Sequence, residues 1–69
     1  MVTLTKASEH WVVSYDTDFQ MFSTIEAAAQ FLVQDFGVDD EEIDEALVEM
    51  AGFDRLKALF VNGRLQETR

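Results

Sequence analysis

Three glycines and no proline punctuate the 69-residue chain. Each glycine falls where the spacing of apolar residues changes. Gly37 and Gly52 each follow a stretch with helical spacing, and Gly63 follows Asn62 between two short apolar runs. Glycine enters left-handed backbone conformations without steric cost, so such positions mark helix ends and tight turns. With no proline, every predicted strand keeps its full set of ladder donors.

Between these marks the elements are readable. Residues 2–5 alternate apolar and polar, and residues 10–15 continue as a second strand with Trp11, Val13 and Tyr15 on one face. Asp16-Thr17-Asp18 reads as a turn, and residues 19–22 as a third strand pairing back on the second. Ser23 and Glu26 have capping-box spacing and open a helix over 24–36. Its buried stripe is Ile25, Ala28, Ala29, Leu32 and Phe36, with Gly37-Val38 as its ending. Asp39 and Glu42 open a second helix over 40–51, with Ile43, Ala46, Leu47 and Met50 inward and Gly52-Phe53 repeating the first ending. Residues 57–61 and 64–67 flank Asn62-Gly63 as a hairpin. The expected fold is one α+β domain over residues 1–69, in the order β-β-β-α-α-β-β. Three or four short strands form an antiparallel sheet with two helices packed on one face. The expected core is Trp11, Val13, Ile25, Leu32, Phe36, Ile43, Leu47, Met50 and Phe60.

Hydrophobic residues make up 48% of the chain, including six Phe, one Trp and one Tyr, which suffices for a core in so short a domain. There is no cysteine, which excludes disulfides, thiolate metal sites and a thiol nucleophile. Small secreted domains usually need disulfides, and neither a signal-peptide layout nor a membrane-length apolar run is present. The expected compartment is therefore the cytoplasm, or the host cytoplasm for a viral protein. The single histidine, His10, has no orienting partner for a triad, and no glycine-rich phosphate loop exists. The acidic run 39–45 lacks the glycine and alternating ligands of a calcium loop. A non-enzymatic protein without metal or cofactor is expected.

Charge carries the functional expectation. The net charge is −9, and between Ala7 and Asp54 there are thirteen acids and no Lys or Arg. Four of the five basic residues, Arg55, Lys57, Arg64 and Arg69, follow that stretch. Direct binding to nucleic acid or an anionic membrane is disfavoured, and a protein partner with a basic surface is favoured. Acids in the first turn of the second helix complement its dipole, but Asp44, Glu45 and Glu49 lie beyond that turn. Glu41, Glu45 and Glu49 recur at four-residue spacing, where like charges cost a few tenths of a kcal/mol per pair (~0.2–0.5). An exposed Val48 between Asp44 and Glu45 suits the desolvated centre of an interface.

The expected binding face is Asp40, Glu41, Asp44, Glu45, Val48 and Glu49. It would be offered to a nuclease or another nucleic-acid-binding complex in place of phosphates. In size and charge, not in motif, the chain is similar to phage-encoded nucleic-acid mimics that act against restriction or CRISPR nucleases. The alternative is a structural or accessory subunit, or a homodimer, docking through a sheet edge or aromatic residues. A solvated acidic face kept for solubility is the plain alternative to both.

Overall fold

The protein is described here by a computed structural model covering all 69 residues. The strands are β1 (Val2–Lys6), β2 (Trp11–Tyr15), β3 (Asp18–Phe22), β4 (Lys57–Val61) and β5 (Arg64–Thr68), and the helices are α1 (Ile25–Phe36) and α2 (Asp40–Gly52). They follow the expected order β-β-β-α-α-β-β. All neighbouring strands run antiparallel in one sheet, ordered β3-β2-β1-β4-β5. The sheet has five strands instead of three or four, because β1 pairs on both sides and so joins the N-terminal and C-terminal hairpins.

Strand register separates two faces. Leu4 lies opposite Val13 and Ala58, and Val2 lies opposite Tyr15 and Phe60. These residues point under both helices. Val2, Leu4, Val13, Ala58 and Phe60 form one cluster with Ala28 and Leu32 of α1, Val38, and Ile43, Ala46 and Met50 of α2. Of the expected core, Val13, Leu32, Ile43, Met50 and Phe60 are buried, while Trp11, Ile25, Phe36 and Leu47 pack half-buried at its rim. Tyr15, Phe22, Phe31 and Phe36 close one side, with ring centroids 5.0–6.0 Å apart in the tilted and edge geometries that aromatic pairs prefer.

The helix ends depart from expectation at three places. The N-cap of α1 is Thr24, whose Oγ1 accepts from the Ala27 N–H at 3.2 Å, so Ser23 is left outside the helix. Thr24 and Ala27 have the N-cap to N3 spacing, one residue later than the Ser23–Glu26 pairing. Gly37 ends α1 as expected, in the left-handed region at φ 63°. Its N–H donates to Val33 O, and the Val38 N–H donates to Leu32 O. Asp39 is the N-cap of α2 by backbone conformation, but its side chain makes no capping bond. Gly52 does not end α2. It remains helical, and Asp54 takes the left-handed conformation at φ 54° while the Arg55 N–H closes on Met50 O at 2.8 Å. Aspartate tolerates that region better than most residues, and shifting the ending by two positions leaves Phe53 outside the core.

Asn62 and Gly63, at φ 53° and 79°, form the tight β4–β5 turn. This turn packs against the α1–α2 connection: the Asp39 N–H donates to Gly63 O, and a Cβ on Gly63 would meet Gly37 O at 2.6 Å. No helix is long and apolar enough to cross a membrane.

Candidate functional site: the outer face of helix α2

Helix α1 packs over β2 and β3, and α2 packs over β4 and β5. Burial of Ile43, Ala46 and Met50 fixes the rotation of α2. The remaining positions must then face solvent, α1 or the sheet margin. Asp40, Glu41, Asp44, Glu45 and Val48 are exposed, and Val48 keeps 73% of its surface.

Asp44, Glu45, Val48 and Glu49 line one shallow, open depression with Gly52 and Phe53. Four of the six expected residues are thus brought together. Asp40 instead lies toward α1, sharing a small crevice with Ile25, Glu26, Ala29, Ile43, Asp44 and Leu47. Glu41 stands exposed in the first turn. Phe53 is the residue that sequence reasoning missed. Expected only as the apolar residue after a glycine helix ending, it is 67% exposed beside Val48 in the same depression. The signal that could have found it is Asp54, a second residue able to hold the left-handed position.

Glu49 does not behave as a free outward carboxylate. Its Oε1 accepts a hydrogen bond from Thr68 Oγ1 at 2.7 Å, and Thr68 is the one buried polar residue of the molecule. Glu49 therefore belongs to the seam between α2 and β5. The row Glu41, Glu45 and Glu49 is not uniformly outward, because α2 turns by 100° per residue and four residues overshoot a full turn by about 40°. Reversing the charge of Glu49 would therefore break its bond to Thr68, unlike reversal at the exposed Glu41 and Glu45.

The acids carry mutual strain. A side-chain hydrogen bond that protonated Glu45 donates to Glu42, followed by the negative charge of Glu42, pushes the Glu45 carboxyl above the ordinary range, and desolvation and Glu49 add to the shift. Of the basic residues, Arg55 stands beside the depression, at Phe53, without pairing to its acids. The only ion pair joins Arg69 to Glu67 at 3.2 Å. Arg55 donates to Thr68 O and sits 5.9 Å from the Phe53 ring centre. No three of the Asp, Glu and His side chains converge as metal ligands. His10 is half-buried just before β2, where its carbonyl accepts the Ala7 N–H. The face offers hydrogen-bond acceptors and negative charge around two exposed apolar side chains. Such an arrangement is chemically able to pair with cationic groups. Comparison of the chain with protein-family models, with curated proteins and with solved structures gives no match.

Proposed function

We propose that the protein is a non-enzymatic inhibitor or regulator that presents the outer face of α2 to a basic, nucleic-acid-binding surface of another protein. The observation that carries this reading is the grouping of Asp44, Glu45, Val48 and Phe53 in one open depression with no basic side chain paired to its acids. Interfaces combine a desolvated apolar centre with a charged rim, and Val48 and Phe53 supply such a centre. Helical rise separates carboxylates four residues apart by about 6 Å, and phosphates along a nucleic-acid strand are likewise closely spaced, about 3.4 Å apart along the axis. A groove lined with Lys and Arg can therefore accept Glu41 and Glu45 as substitutes for phosphates.

The partner class is a nuclease or another nucleic-acid-binding complex, as for nucleic-acid mimics directed against restriction or CRISPR enzymes. The experiment is affinity capture from source-cell extract with wild type and a Glu41→Lys/Asp44→Lys/Glu45→Lys variant. Glu49 is left intact because it holds Thr68. A captured protein that binds nucleic acid, releases this chain when a duplex oligonucleotide is added, and ignores the variant supports the reading. Simultaneous binding of oligonucleotide and this chain refutes it.

A further inference from the structure

No helix packs on the sheet face opposite α1 and α2. Register lays its side chains in cross-strand rows. One row runs Met21, Val12, Thr5 and Lys57 from β3 to β4, and the next runs Phe19, Ser14, Thr3, Leu59 and Glu67 from β3 to β5. Leu59 is only 4% exposed yet lies outside the main core cluster. At the other end of the row, Phe19 and Met21 keep 57% and 58% of their surface. Beside Phe19, the small side chains of Ser14 and Thr3 form the floor of a shallow depression shared with Met1, Tyr15 and Asp16. A large apolar knob and a hole of small residues thus stand next to each other on one row.

We propose that this open face is a self-association surface. A second copy of the chain packs sheet against sheet, and Phe19 of each copy drops into the Ser14–Thr3 depression of the other. A two-fold axis running along β2 exchanges knob and hole, the self-complementarity that an isologous dimer needs.

Charge argues for a copy of this chain as the occupant. The strands place Lys57, Arg64 and Glu67 on the open face and Asp16 borders its depression, so two basic and two acidic side chains leave it with no net negative charge in a molecule of −9. Stacked sheets stand about 10 Å apart, and each α2 helix lies on the far side of its own sheet. The two acidic helices then point away from each other, beyond the ~8 Å Debye length at physiological salt, so their repulsion is weak.

Area is sufficient for a standard interface and no more. The molecule spans 27 × 24 × 21 Å, so one face offers at most about the ~800 Å² per partner of a standard interface.

The test is sedimentation equilibrium of the full chain from micromolar to millimolar concentration, at low and high salt. The expected result is a concentration-dependent monomer–dimer equilibrium that tightens as salt screens the residual repulsion. Phe19→Ser removes the knob and Ser14→Lys fills the hole. Each should weaken association at least ~10-fold, as truncation of a central anchor does, with an unchanged circular dichroism spectrum. Val48→Ser, on the helix side, should leave association unaltered. A wild type that stays monomeric at every concentration overturns the proposal and leaves the face to a different protein. Wild-type dimerisation by either sheet-face variant also overturns it, and points instead to pairing along the β3 edge.

Discussion

The bond between Glu49 and Thr68 should be measurable as a coupling between the last turns of α2 and the end of β5. Thr68 is 7% exposed, and its hydroxyl donates to Glu49 Oε1 at 2.7 Å. A hydrogen bond to a charged acceptor contributes about 1.5–3 kcal/mol net. Glu49 is half-exposed and regains water when the donor is lost, so the lower end, about 1.5 kcal/mol, applies. In a domain of this size each kcal/mol moves the melting temperature by about 4–8 °C, so Thr68→Val should lower it by about 6–12 °C. The assay is thermal unfolding, followed by circular dichroism, of wild type, Thr68→Val, Glu49→Ala and the double variant. If the bond joins helix to strand as described, the double variant loses less than the sum of the singles, by about 1 kcal/mol. Additivity within ~0.3 kcal/mol would show that the two side chains do not interact, and that Glu49 is free to serve as part of the outward acidic row.

Two further outcomes follow from burial and charge. Leu32 has no exposed surface at the centre of α1, so Leu32→Ala should cost about 2–5 kcal/mol in chemical denaturation, a large share of what so small a domain has. Glu45 has its carboxyl raised by Glu42, so the folded state binds that proton more tightly than the unfolded state. Stability should therefore fall as pH rises from the ordinary carboxylate range through the raised value, and Glu42→Gln should flatten that segment of the pH–stability curve.

Much of the fold was legible because local signals and global packing agree. Gly37-Val38 and Asn62-Gly63 sit where glycine or asparagine is the cheapest left-handed residue, and both endings form where the sequence places them. The inward stripe of α2, with Ile43, Ala46 and Met50, follows from helical spacing alone. The missed details have a common cause, competition between neighbouring residues for one role. Ser23 and Thr24 can both cap α1, and the hydroxyl that reaches the Ala27 N–H takes the position. Gly52 and Asp54 can both end α2, and a chain that must turn back into β4 uses the later one. That choice exposes Phe53 and so changes the candidate site. Leu4 and Val2 were overlooked as core because a short strand gives no sign that it will pair on both sides, which is what buries them. Glu49 shows the limit of spacing arguments. Four-residue periodicity describes a stripe that drifts around the helix, and Thr68, nineteen residues away, decides where its last member points.

The central claim is that the acids of α2 form a binding face rather than a solvated surface. The most direct measurement is the association rate of the captured partner with wild type and with the Glu41→Lys/Asp44→Lys/Glu45→Lys variant, across a series of salt concentrations. Charge complementarity acts chiefly on encounter, so the wild-type rate should fall steeply as the Debye length shrinks below about 10 Å. The variant should associate at least ~10-fold more slowly at low salt and respond little to added salt. Equal rates for the two proteins, with the same salt dependence, would contradict the claim and move the interface to another surface of the molecule.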